Sequence, residues 1–242
     1  MPQRINKIGQ PIGEEIPNWA PAIGPDQTPI IGQYCRLEAL DAERHSAELF
    51  EAFAHGNNAG LWTYMPVGPF ESEQELRTWA KGASQSKDPL FYTLIEQVSG
   101  KAVGFASYLR ITPEVGVIEV GFIAFSPRLQ KTRVATEVMF LMMQHAFNTL
   151  GNRRYEWKCD ALNAPSRAAA LRFGFTYEGL FKQATIYKGR NRDTAWFSVL
   201  DRDWPAVEQG YIAWLDPSNF DDKGQQKQRL AELIAVRKGG NS

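Results

Sequence analysis

The chain has 242 residues and a mass of 27.3 kDa, enough for one large domain or two small ones, with a core that needs no disulfides. Its 27 Lys and Arg balance 27 Asp and Glu, and a net charge of zero removes the electrostatic case for nucleic-acid binding or a membrane-surface role. No apolar run reaches the roughly 18 residues of a membrane span, and the opening MPQRINKIGQ has no apolar signal core, so a cytoplasmic protein is expected.

Six of the fourteen prolines fall in the first 31 residues: Pro2, Pro11, Pro17, Pro21, Pro25 and Pro29. Proline fixes φ and removes an amide donor, so residues 1–32 are expected to form an extended arm. Ile12, Ile16, Trp19, Ile23 and Ile30 are candidates to strap it to the surface, a disordered tail being the alternative. From Gln33 the texture turns to alternating strands and helices. Residues 34–40 read as a strand, and Asp41 as the N-cap of a helix reaching Ala54. A loop carrying Trp62, Tyr64 and Met65 follows, and Ser72 with Glu75 makes a capping box that opens a helix to Ala83.

Strand candidates follow at 91–96, 102–109 and 117–125, separated by Ser99-Gly100 and Thr112-Pro113, the pattern of an antiparallel meander. Residues 132–150 carry the strongest helical pattern, with Met139, Met143, Ala146, Phe147 and Leu150 on one stripe and Gly151 as its C-terminal stop. Beyond it lie a strand at 155–160, a short helix at 165–173 closed by Gly174, and strands at 175–178 and 195–200. Residues 205–242 form an extension with a terminal amphipathic helix at 225–236, which leaves 33–204 as the main domain.

Cys35 and Cys159 lie far apart with no CxxC pair, and His45, His55 and His145 lack metal-ligand spacing, so no metal site is expected and both thiols read as buried. The strand 117–125 feeds a polar turn and then the long helix, and a helix start so placed presents unpaired amides and a positive dipole end to an anion. Ser166 beside Pro165 reads either as a hydroxyl acting on a ligand or as a helix-start cap. Glu119 on its strand reads either as a site carboxylate or as a solvated one. Trp62, Tyr64 and Phe70 are either core aromatics or a substrate wall. The run Lys188-Gly189-Arg190-Asn191-Arg192-Asp193 is a charged turn, and if it lines a cleft its two arginines favour an acidic substrate.

The order of these pieces, IEVGFIAFSPRLQKTRVATEVMFLMMQHAF followed by YEWKCDALNAPSRAAALRFGFTYEG, resembles the GNAT family of N-acetyltransferases, and within it the Rim-type ribosomal-protein branch. The resemblance covers residues 33–204. It implies an α/β (α+β) fold, with a mixed, mostly antiparallel central sheet of six to seven strands flanked by helices. It implies acetyl-CoA as acyl donor and direct transfer to a primary amine, on a small molecule or a protein N-terminus, by a monomer or homodimer. Gln130, Lys131, Thr132, Arg133, Val134, Ala135 and Thr136 occupy the family's pyrophosphate loop, with Arg133 where a glycine is usual. The resemblance assigns Asn163 and the backbones of Ile123 and Phe125 to the pantetheine arm, and Ser166 to the thiolate. It gives Glu119 the role of proton acceptor and places Trp62, Tyr64 and Phe70 on the acceptor side. A strand bulge beyond Gly121 is expected to free an amide for the thioester carbonyl. The alternative function is a non-catalytic CoA-binding module.

Overall fold

The computed structural model describes residues 4–54 and 59–239; His55 lies outside them. Ten strands and six α-helices follow in order: β1 (Arg4–Ile5), β2 (Pro11–Ile12), β3 (Ile30–Ile31), β4 (Cys35–Ala39), α1 (Ala42–Ala54), α2 (Glu73–Gln85), β5 (Leu90–Glu96), β6 (Ala102–Thr112), β7 (Val117–Phe125), α3 (Arg133–Gln144), β8 (Arg154–Asp160), α4 (Ala164–Arg172), β9 (Thr176–Tyr187), β10 (Arg190–Leu200), α5 (Trp204–Leu215) and α6 (Leu230–Gly239). The main sheet has eight strands in the order β3-β4-β5-β6-β7-β8-β10-β9, one or two more than the sequence pattern indicated. The addition is β3, two residues after Pro29, too short to leave a periodic signal.

All neighbours in this sheet are antiparallel except β7 and β8. That parallel pair needs a crossover, and α3 supplies it. The apolar stripe of α3 buries Val138, Met139, Met142 and Met143 against the sheet, and its last turn widens into a π-turn at His145–Thr149. On its outer side Phe140 stacks on Tyr211 of α5 at 5.2 Å, and α6 adds Leu230, Leu233 and Ile234 to the same core. A second core on the opposite face packs α1 and α2 on Phe91, Phe105 and Ala124.

Local capping follows the sequence closely. The Asp41 carboxylate accepts the amides of Glu43 and Arg44 at 2.9 and 3.0 Å. Ser72 accepts Glu75 N at 3.2 Å, while the Glu75 carboxylate reaches Glu71 N rather than the cap residue itself. Of the five strap candidates, Ile12, Ile16 and Ile23 have exposed side chains, whereas Ile30 packs against the core. Trp19 also ties the segment down, donating its indole N–H to Glu114 O at 3.0 Å, helped by Ala22 N on Pro113 O and Ile23 N on Leu150 O.

Candidate active site

The parallel pairing of β7 and β8 runs only from Val117 opposite Arg154 to Val120 opposite Trp157. Beyond it both strands continue, to Phe125 and Asp160, without pairing to each other. Their backbones splay apart and leave edge amides and carbonyls of residues 121–125 facing a cavity of about 1610 Å³. On its other side β7 shifts register against β6, with two residues, Phe122 and Ile123, set against the single Ala106 between the pairs Ser107–Gly121 and Phe105–Ala124. This is the bulge expected beyond Gly121, and Phe122 takes a positive φ of 48° to make it.

At one end of the cavity lies the start of α3. Thr132 caps the helix by accepting Ala135 N at 3.1 Å, and the remaining first-turn amides head the cavity. The loop's left-handed residue is Lys131, at φ 61°, so Arg133 enters as an ordinary first helical residue. Its side chain swings aside: Nη1 donates to Tyr34 OH at 3.1 Å, and the guanidinium lies 3.5 Å over the Phe220 ring. Gln130 Nε2 donates to Phe125 O at 2.9 Å, and Val134 and Thr136 complete this wall. Arg172 joins it from α4, bound to Thr136 Oγ1 at 3.0 Å with Trp214 beside it; burial lowers its pKa. Three cations thus surround a helix N-terminus, a setting for a phosphorylated ligand.

Along the α4 side, Asn163 caps the helix by accepting Ser166 N at 3.1 Å. Ser166 Oγ accepts the Trp157 indole N–H at 3.0 Å, which fixes its position in the wall. Ile123 and Phe125 border the splay on β7. Cys159 borders it on β8, where burial pushes its thiol up and away from the thiolate form.

Glu119 is buried where the paired part of β7 ends. Its Oε2 lies 2.8 Å from Lys158 Nζ and 3.2 Å from Arg110 Nε. Burial raises the Glu119 pKa, and the two cations pull against it. Its Oε1 turns toward Gly121, where a Cβ would stand 3.8 Å from it and meet Leu109 at 2.8 Å. Glycine is therefore favoured here by the close approach of Leu109. Lys158, which the sequence reading missed, bridges Glu119 and Glu156 and lies 3.8 Å from the centre of the Trp196 ring. No short motif marks it; strand alternation around Glu156 and Asp160 was the available signal.

The three aromatics expected on the acceptor side divide. Tyr64 lines the cavity and donates to Leu162 O at 3.2 Å. Trp62 is only 3% exposed, edge-on to Phe53 at 5.1 Å and to Phe70 at 5.3 Å, so these two belong to the second core rather than to a substrate wall. Ring burial against α1 outweighs exposure in the loop. The charged turn also divides. Lys188 Nζ donates to Trp62 O and Gly68 O, and Arg190 to Thr63 O, latching the β9–β10 hairpin to the loop. Arg192 alone of its two arginines borders the cavity.

Residues 36–176 match the Acetyltransferase (GNAT) domain. The chain is similar to a GCN5-related N-acetyltransferase from Brucella melitensis, with 48% identity and a TM-score of 0.88 over 91% of this chain and 100% of that one. It is 25% identical over 144 residues to an uncharacterized N-acetyltransferase, p20, of Bacillus licheniformis, covering 58% of this chain and 80% of that protein. It shares its fold with RimL, a ribosomal L7/L12 alpha-N-protein acetyltransferase, at 24% identity and a TM-score of 0.61, over 71% of this chain and 93% of that one.

Proposed function

Because the chain belongs to the GNAT family of acetyltransferases, we propose that it moves the acetyl group of acetyl-CoA directly to a primary amine, in the cytoplasm. The observation that carries this reading is the splay of β7 from β8 beside the capped start of α3. An extended pantetheine arm adds to the free edge of residues 121–125 as a short strand, and its pyrophosphate meets the α3 amides with Lys131, Arg133 and Arg172. The carbonyl is left at the bulge, where a backbone amide near Ile123 polarises it.

The amine nitrogen then attacks the thioester carbon, the C–N bond forms and the C–S bond breaks. A proton must leave the amine first, because an alkyl ammonium near pKa 10 is mostly protonated at neutral pH. Glu119 Oε1 takes it, directly or through water, while Lys158 and Arg110 hold the other oxygen. Ser166, fixed by Trp157, donates toward the departing thiolate, and Asn163 holds the arm. Neither cysteine takes part.

Mass spectrometry of the protein with acetyl-CoA and pooled peptides, amino acids, amino-acid amides and other small amines tests the reading. One or more acetylated amines is the expected result. Binding of acetyl-CoA with no acetylated product from any amine would favour the non-catalytic module instead.

A further inference from the structure

Strand alternation sorts β8 cleanly. Tyr155, Trp157 and Cys159 enter the core under α3, so Glu156, Lys158 and Asp160 project from the opposite face. The antiparallel register sets Ser198, Trp196 and Thr194 of β10 directly opposite them. Most charges on this face are matched: Lys158 lies between Glu119 and Glu156, Arg110 meets Glu119, and Arg154 ties Glu156 to Glu178. Asp160 and Arg192 are the exceptions. Among the described residues neither forms an ion pair, with each other or with any other group.

Asp160 is only 5% exposed and borders the cavity. Its carboxylate accepts only neutral donors, Tyr187 OH at 2.8 Å and Leu162 N at 2.8 Å. A carboxylate has about four acceptor positions, so these two leave room. Burying one without a cation is costly and invites a positive partner. Arg192 borders the same cavity, its Nε donating to Thr194 Oγ1 at 3.2 Å and its guanidinium lying over the Tyr187 ring. Thr194 stands opposite Asp160, so the two unmatched charges sit close together on one wall. Tyr64, Phe181, Ile186 and Trp196 surround them with apolar surface.

We propose that Asp160 and Arg192 are the docking pair for the acceptor, Asp160 receiving its ammonium before the proton passes through water to Glu119, and Arg192 receiving its carboxylate, so that the acceptor is a free α-amino acid with an apolar or aromatic side chain. This rests on the acetyl-transfer reading and narrows it. An α-amino acid places the two charges on adjacent carbons, a span short enough for one wall. Arginine is suited to a carboxylate because its planar fork makes two parallel hydrogen bonds. Tyr187 and Leu162 N each hold one Asp160 oxygen, which fixes the carboxylate and leaves its remaining acceptor positions to the ligand.

The test is steady-state acetylation of free apolar and aromatic amino acids beside their own amides, with the KM for acetyl-CoA as control. Wild-type protein should show a KM for the free acid at least about tenfold below that for the amide, the size of one charge-assisted contact. Arg192→Gln should bring the KM of the acid up to that of the amide. Asp160→Asn should raise the KM of both while the KM for acetyl-CoA stays put. If Asp160→Asn does not fold, Arg192→Gln decides, since that side chain holds no core contact. Equal KM values for acid and amide in the wild type, or a preference that survives Arg192→Gln, overturns the docking pair and leaves acetyl transfer standing. Acetylation of peptides or amides but of no free amino acid does the same. No acetylation of any pooled amine overturns the acetyl-transfer reading, and the docking pair with it.

Discussion

The guanidinium of Arg133 lies 3.5 Å from the centre of the Phe220 ring, so a residue of the C-terminal segment holds a side chain from the first turn of α3. The hydroxyl of Tyr34 takes the same guanidinium from the other side. The arginine is thus displaced from the helix axis without being lost to the cavity it borders.

Arg133→Ala is therefore expected to weaken CoA and dephospho-CoA alike, each about tenfold in isothermal titration calorimetry, because both keep the pyrophosphate. Phe220→Ala, which frees the guanidinium but keeps its charge, should cost about threefold, in line with a cation–π contact of roughly 0.5–1 kcal/mol. Unchanged affinity for both ligands on Arg133→Ala would make it a strut for the C-terminal segment only.

Glu119→Gln should lower kcat by roughly 10²–10⁴-fold, the usual share of a positioned proton acceptor, with acetyl-CoA affinity little changed. Burial raises the Glu119 pKa. Activity should accordingly rise with pH through a limb above the ordinary glutamate range, and that limb should vanish in the variant. Ser166→Ala should lower kcat by less, because water reaches a thiolate readily. A Ser166→Ala loss confined to Tm would leave the hydroxyl as a partner for the Trp157 indole and nothing more.

Trp62→Ala and Tyr64→Phe separate core from cleft. Removing the buried Trp62 ring should cost about 3–5 kcal/mol of stability while kcat per folded molecule survives. Tyr64→Phe should leave denaturant midpoints in place and raise the acceptor KM. The reverse pattern would return Trp62 to the substrate wall.

Glu137 accepts three consecutive amides, Gln33 N, Tyr34 N and Cys35 N, at 2.6–2.8 Å, and so pins the start of β4 to α3. An amide side chain has one acceptor oxygen and turns donors toward donors. Glu137→Gln should therefore cost about 2–3 kcal/mol and lower Tm by roughly 5–10 °C. A change below about 1 °C in scanning fluorimetry would show the three contacts to be dispensable.

His45 is buried, with Nδ1 accepting Asp41 N at 3.1 Å, and burial pushes its pKa down. A histidine depressed in the folded state stabilises above the unfolded value near 6.5, and that stability is lost as pH falls through the folded value. Tm should fall as pH drops below about 6.5, and His45→Gln should flatten part of that slope. His145, also depressed by burial, should account for the remainder.

The stretch from β7 to α4 was legible in the sequence because its signals are local. A glycine marks the bulge and the α3 stripe repeats at helical spacing, although the cap of α4 is Asn163 rather than the Ser166 that the sequence offered for it. What escaped depends on partners distant in the chain. β9 runs from Thr176 to Tyr187, far beyond the four residues read as strand, because both its faces are largely exposed and carry no alternation. Residues 205–215 fall in the C-terminal extension, where the pattern indicates only a terminal helix, and α5 takes its meaning from a distant contact, the stacking of Tyr211 on Phe140. Glu137, Lys158 and the Asp160–Tyr187 contact are side chains whose meaning lies in residues at least 27 positions away or on another strand.

The latch between hairpin and loop has a consequence for how such a chain can diversify. Lys188 and Arg190 grip the main-chain oxygens of Trp62, Thr63 and Gly68, so nothing in the latch reads the loop's side chains. Only two positions in that stretch are locked by shape. Trp62 is buried, and Gly68 sits at φ 63° where a Cβ would strike the Trp62 ring at 2.5 Å. Between them Met65 and Val67 pack partly against the second core, while Tyr64 borders the cavity outside it and can change under a fixed loop path. A change of side chain at Tyr64 can therefore reshape the cavity wall while the main-chain latch holds the loop in place.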